Sequence, residues 1–239
     1  MQTRKDCLFG INESMKQYLS YGGGVNSTAL LVMREYDEAI YVDHGCDWPE
    51  TRQYVADRIR DYLLKILIPG DLYKYAWDHE MVPSPMIRWC TRMFKVEPIN
   101  KYVEKPCFML IGFAADEAHR AKLKSVDGIE HRFPLIEQGI DRKGCKEIIR
   151  KAGLPIPIKS GCYFCPYQTI KQWKQLRRDH PDLFCKAEQL EARNMEYRES
   201  QGKKPLYLYS NKKPLKTVVR ETEDHLFPEM QYPPCECFL

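Results

Sequence analysis

Three consecutive glycines, Gly22-Gly23-Gly24, stand between the polar pair Ser20-Tyr21 and the segment Val25-Asn26-Ser27-Thr28. The apolar run Ala29-Leu30-Leu31-Val32-Met33 follows at once. Such a stretch leaves successive backbone N–H groups uncovered by side chains, so an anion can rest directly on the chain. Asn26, Ser27 and Thr28 place polar side chains where a helix begins, and the helix N-terminus adds partial positive charge. The loop therefore predicts a phosphate or sulfate cradle made of Ser20, Gly22, Gly23, Gly24, Asn26, Ser27 and Thr28. It differs from the nucleotide loop that ends Gly-Lys-Ser/Thr, because no lysine precedes Ser27. The competing reading is a glycine-rich turn capping an ordinary helix.

What comes next sets the fold class. Glu38–Asp43 reads as a short buried strand, and it runs through His44-Gly45-Cys46-Asp47-Trp48 into a helical pattern from Glu50. Loop, helix, strand and loop in this order is one unit of an open parallel α/β sheet. In such sheets ligands bind where strand carboxyl ends meet the following loops. The expected architecture is thus α/β: an open, mostly parallel sheet with helices on both faces. His180 to Gln201 reads as a charged helix with Leu183, Phe184, Ala187, Leu190 and Met195 in rough helical spacing. That predicts a nucleotide-binding α/β domain with a cysteine-rich segment over 1–166, and a helical appendage and arm over 167–239.

The motifs resemble, in order, those of the PP-loop ATP pyrophosphatase superfamily and its phosphoadenosine phosphosulfate (PAPS) reductase branch. Gly22-Gly23-Gly24-Val25-Asn26-Ser27 resembles the superfamily loop. Val42-Asp43-His44-Gly45 with Trp48-Pro49-Glu50-Thr51 resembles its second element. Cys90 to Pro98, with Lys95, resembles a Cys-x-x-x-x-Lys-x-x-Pro segment. Met109 to Arg120 resembles a strand ending in Gly112 and followed by Asp116-Glu117 and Arg120. Ser160-Gly161-Cys162-Tyr163-Phe164-Cys165-Pro166 resembles a closing metal segment. The resemblance implies an adenine nucleotide (ATP, or PAPS or adenosine phosphosulfate) with Mg²⁺. It makes Lys95 and Arg120 a cationic clamp, gives Asp43 to the metal or the ribose, and adds Gly112, Asp116 and Glu117 to the nucleotide site. Asn26 stands where the pyrophosphatases carry Asp, which puts the metal role of that position in question.

Ten cysteines in a chain read as cytoplasmic argue for metal ligation, catalysis or burial rather than a disulfide framework. Cys162 and Cys165 have chelating Cys-x-x-Cys spacing, with a thioredoxin-type dithiol as the competing reading. The resembling reductases add a tandem cysteine pair at the position of Trp89-Cys90. Here only Cys90 remains, so Cys145 is taken as the fourth ligand, with Cys185 as its substitute. Cys107 is read as core, and Cys7 and Cys46 as lacking a partner at ligand spacing. Four thiolates suit a [4Fe–4S] cluster, which the resemblance favours, or zinc. The tail Cys235-Glu236-Cys237-Phe238-Leu239 resembles in part the mobile tail on which the reductases carry their nucleophile, which would be Cys237.

Net charge of +4 permits an acidic substrate without demanding one, and basic clusters at 171–178, 203–204 and 212–213 are either solvated faces or contact points. No apolar run approaches the about 20 residues of a membrane span, and the charged N-terminus lacks a signal-like apolar region. Two activities follow as expectations. One is ATP-dependent adenylylation with sulfur transfer to tRNA, DNA or a small molecule, using a sulfur donor. The other is sulfonucleotide reduction with a dithiol reductant. A non-catalytic nucleotide-binding subunit and a homodimer are the remaining readings.

Overall fold

The computed structural model describes residues 15–122, 126, 128–158, 160–209 and 213–221. Cys7, Cys235 and Cys237 lie outside the described residues. The chain groups into two compact units. One holds the described residues of Met1–Val42, Glu50–Leu67 and Pro98–Ser160; the other holds those of Asp43–Pro49, Ile68–Glu97 and Gly161–Leu239.

The first unit is built on five parallel strands: β1 (Lys16–Tyr21), β2 (Glu38–Val42), β3 (Lys65–Leu67), β4 (Cys107–Ile111) and β5 (Ile129–Arg132). Their order across the sheet is β3-β2-β1-β4-β5. The expected parallel α/β sheet is therefore present. Chain order runs outward from β1 in one direction and resumes from β4 in the other, so the topological switch point lies between β1 and β4. That is the place where an open α/β sheet leaves a crevice beyond its strand ends. Strands buried on both faces read as continuous apolar runs, and all five residues of β4, Cys107-Phe108-Met109-Leu110-Ile111, are buried.

Side chains alternate between faces along a strand. Leu19 and Tyr21 of β1 enter one apolar cluster with Ala29, Leu30 and Leu31 of helix α1 (Val25–Met33), Val55 of helix α2 (Pro49–Ala56) and Ile149 of the helix Arg142–Lys151. Tyr18 points the other way, and its hydroxyl accepts the Glu104 N–H at 3.2 Å.

The second unit is helical. Trp173 and Leu176 of Ile170–Asp179 and Phe184, Ala187 and Leu190 of Pro181–Ser200 share a core with Trp89, Phe94 and Leu215. A Thr169–Gln172 capping box starts the first of these helices. The buried seam of the long helix continues through Glu191 and Asn194 rather than Met195. Glu191 earns its burial by accepting two backbone N–H groups, from Leu208 at 2.7 Å and Leu215 at 2.6 Å, as a buried carboxylate must. No helix among the described residues is long and apolar enough to cross a membrane.

Candidate functional site

In the sheet unit, the glycine loop leaves the carboxyl end of β1 and delivers the chain into α1 at the switch point. Gly23 has φ +69°, and a Cβ there would lie 3.0 Å from Thr51 Cγ2 and 3.1 Å from Val55 Cγ2. Glycine is thus required twice over, by conformation and by the closeness of α2. The helix N-cap is Gly24, which has no side chain to offer the first-turn N–H groups, and no acidic residue stands in that turn. Ser27 closes the loop on itself: its Oγ accepts from Gly22 N at 3.3 Å and donates to Gly24 O at 3.2 Å. Thr28 is fully buried, with its Oγ1 3.4 Å from the Tyr21 hydroxyl, so it braces the helix from beneath.

The loop after β4 supports this turn from the side. A Cβ at Gly112 would sit 2.9 Å from Ser27 N and 3.0 Å from Ser27 Cα. Gly112 therefore serves close approach of backbone to backbone. Asn26 Nδ2 donates to Glu117 Oε2 at 2.7 Å, and Arg120 Nη1 donates to Glu117 Oε1 at 2.7 Å. The guanidinium lies 4.3 Å from the Phe113 ring centroid, and Phe113 stacks on Phe133. Arg120 and Glu117 are both buried. The charge of Arg120 is thus engaged by Glu117, which in turn holds Asn26 in the first turn of α1. Asp116 accepts from Arg142 N at 3.3 Å, at the start of the helix Arg142–Lys151. Two oxygens next to the loop, Asn26 Oδ1 and Thr51 Oγ1, are buried and have no hydrogen-bond partner among the described residues. Ser20 is buried at the end of β1.

The helical unit contains a different constellation. Cys90, Cys162 and Cys165 line one cavity of about 30 Å³ with His44, Lys95 and apolar side chains. Cys90 lies on Trp89–Thr91, which continues as a π-helical turn, Arg92–Val96. Its i→i+5 pattern turns residues five apart toward one side, so Cys90 and Lys95 both reach the wall. Segment 43–49 pairs with the Cys-x-x-Cys loop: Trp48 N donates to Gly161 O, Tyr163 N donates to Cys46 O, and Asp47 bridges Cys162. This clamp brings Cys46 to Cys162. The Cys162 thiol and His44 stabilise a Cys46 thiolate and draw its pKa down to about 6 against the effect of burial. Burial and the Cys46 charge push Cys162 up. Burial also raises Cys90, with Lys95 opposing. His44 itself accepts from Cys46 N and turns Nε2 toward Asp47, 3.6 Å away. Asp43 Oδ1 accepts from Gly45 N at 2.9 Å at the base of this segment.

Cys145, expected as the fourth sulfur because its helix enters the Cys-x-x-Cys loop, lies in the apolar core of the sheet unit. It is fully buried beside Leu135 and Ile149, and its thiol is pushed up to about 12 by burial. Such a thiol is inert. Cys185 is exposed on the long helix, and Cys107 is buried in β4. Cys46 has no cysteine near it in sequence, and the backbone pairing of two distant loops is what brings it to Cys162. Among the described residues no three His, Cys, Asp or Glu side chains gather around a single metal-ion position.

Comparison with known proteins gives distant relatives. No protein-family model matches the chain. It is 23% identical over 200 residues to the uncharacterized protein MJ0066 of Methanocaldococcus jannaschii, covering 71% of this chain and 40% of that protein. It is 26% identical over 190 residues to MJ0973 of the same organism, covering 70% and 45%. The chain thus spans less than half the length of these curated relatives. Among solved structures it is similar to phosphoadenylyl-sulfate (PAPS) reductase from Candida auris in a phosphate complex, with TM-score 0.44 and 18% identity, over 59% of this chain and 75% of that one.

Proposed function

We propose that this chain binds an adenine nucleotide on the loop 20–28 and uses ATP to adenylylate an acceptor for sulfur transfer, with a thiolate-held iron–sulfur cluster in its helical unit. The observation that carries the nucleotide assignment is an N-terminus without a side-chain cap, formed by a triple-glycine loop, at the switch point of a parallel sheet. Phosphate oxygens accept from the first-turn N–H groups of α1, while Asn26 Oδ1 and Thr51 Oγ1 supply buried acceptors for a donor such as a magnesium-bound water or a ribose hydroxyl. In the transfer, an acceptor oxygen forms a bond to the α-phosphorus as the bond to the leaving pyrophosphate breaks. The leaving charge falls on the first-turn N–H groups, and the acceptor proton passes to solvent. Glu117 and Arg120 keep Asn26 and its turn in position for that step.

The cysteine cavity supports the second half of the reading by its donor chemistry. Cys90, Cys162 and Cys165 line it, the Cys46 thiol is hydrogen-bonded to that of Cys162, and all four are soft sulfur donors of the kind iron–sulfur clusters take. When bound, the cluster supplies an electron-transfer or sulfur-handling centre, and Lys95 on the wall offsets the negative charge of the thiolates. Asp43 remains a candidate for metal or ribose contact. The acceptor is a tRNA, a DNA or a small molecule.

Calorimetric titration of ATP tests the loop. Gly23→Val, which would drive a branched side chain into Thr51 and Val55 at positive φ, lowers ATP affinity on the order of tenfold or more, and Ser27→Ala lowers affinity together with the melting temperature, because it removes the two hydrogen bonds that close the loop. Equal affinity in both variants sinks the assignment. Pyrophosphate release from ATP supports adenylylation; sulfite release from PAPS replaces it with sulfonucleotide reduction.

A further inference from the structure

The helical unit holds a second cavity, of about 200 Å³, lined in part by Cys185 and sharing no lining residue with the cavity of Cys90, Cys162 and Cys165. Arg177 of the helix Ile170–Asp179, Glu188 of Pro181–Ser200, and Lys216 and Arg220 of Leu215–Glu221 form its polar wall, with Phe184 beneath. Lys216 and Arg220 are one helical turn apart and so share a face. Three cations surround one carboxylate, and all three act on Glu188, whose own pKa burial raises. The wall therefore carries a surplus of positive charge in a pocket several water volumes in size.

The positive charge does not stop at the rim. Lys171 and Lys174 precede Arg177 at steps of three on the same helix face, opposite the buried Trp173 and Leu176. No acidic residue interrupts Lys171-Gln172-Trp173-Lys174-Gln175-Leu176-Arg177-Arg178, and Arg178 pairs with Asp179 in the next position, at 2.7 Å. A pocket of guanidinium and ammonium groups fed by a linear basic strip matches a chain of evenly spaced phosphates. The strip runs past the pocket, farther than one small anion would reach. We infer that Arg177, Lys216 and Arg220, with the strip Lys171–Lys174, form a binding site for the phosphodiester backbone of a single-stranded nucleic acid. The contact is electrostatic and independent of base sequence, and it does not rest on the nucleotide reading of the glycine loop.

Fluorescence anisotropy of a labelled single-stranded oligonucleotide, titrated without any nucleotide present, tests this. Each phosphate contact contributes a slope of about 0.7 to the fall of log affinity with log salt for single strands. The triple variant R177Q/K216Q/R220Q therefore loses about 2 from that slope between about 50 and 200 mM salt, and its affinity at the lower salt falls on the order of tenfold or more. Replacing the exposed pair Lys203 and Lys204 by glutamine, on the same unit, leaves slope and affinity near wild type, and unchanged melting temperatures confirm that both variants fold. An unchanged slope in the triple variant overturns the proposal. So does competition by polyglutamate equal to that of an oligonucleotide of matched charge, which would make the site one for acidic peptides. Saturation by inorganic phosphate alone at micromolar concentration would also overturn it, as a site for a free anion.

Discussion

Cys46→Ser is expected to strip the proposed cluster from anaerobically purified protein, as are Cys90→Ser, Cys162→Ser and Cys165→Ser, whereas Cys145→Ala and Cys185→Ser should keep it. The wild type is expected to carry about four irons per chain and a broad visible absorption band, both lost in the first four variants. Ligand removal also lowers stability, because metal-binding free energy is part of folding free energy. The argument for Cys46 is geometric. Segment 43–49 is laced to 161–163 by Trp48 N to Gly161 O and Tyr163 N to Cys46 O, so its thiol cannot leave the neighbourhood of Cys162. Cys145→Ala removes a buried thiol from the apolar cluster around Ile149 and costs on the order of 1 kcal/mol in urea unfolding without touching metal content. Full iron in Cys46→Ser would remove it from the ligand set, and iron loss in Cys145→Ala would restore Cys145 as a ligand. A colourless wild type with one zinc would keep the four sulfurs and change the metal.

The parallel sheet was legible because strand and helix periods are local: Glu38 to Asp43 reads as a buried strand, and β2 occupies Glu38–Val42, one residue shorter. The loop was legible for the same reason, since Gly22, Gly23 and Gly24 declare a backbone left bare. The partners of that loop were not. Arg120 was read as a cation awaiting phosphate, yet a sequence does not say that Glu117, three residues earlier, takes its guanidinium, or that Asn26 shares the same carboxylate. The approach of Cys46 to Cys162 was hidden likewise, because the pairing of segment 43–49 with the Cys-x-x-Cys loop is a long-range contact with no periodic signature. Polar burial escaped also: Glu191 occupies a core position because two backbone N–H groups from distant segments meet it, where apolar spacing pointed to Met195.

Arg120→Met lowers the stability of the chain by about 3–5 kcal/mol and weakens ATP binding with it. The pair Arg120–Glu117 is buried, with side chains 5% and 11% exposed and a 2.7 Å contact. Removing one partner of such a pair leaves an uncompensated charge in a poor solvent for it, which costs far more than the pair contributes as a whole. A surface pair would cost under about 1 kcal/mol, so the magnitude separates the two cases. The double variant E117Q/R120M should recover a substantial part of the loss, since it removes both charges and keeps an amide carbonyl to accept from Asn26. Asn26→Asp probes the same knot from the other side: it sets a carboxylate where the amide donates to Glu117 at 2.7 Å, and two like charges at that distance cannot both ionise freely. That variant should be less stable at neutral pH and recover as pH falls and one carboxylate takes a proton, the reverse of the trend in a chain held by ionised carboxylates. Because Asn26 sits in the first turn of α1, each of these changes also disturbs the N–H groups of the proposed phosphate site. ATP affinity should therefore follow stability through the series Arg120→Met, Asn26→Asp and E117Q/R120M. A stable Arg120→Met with unaltered ATP affinity would show that Glu117 and Asn26 hold the turn without it.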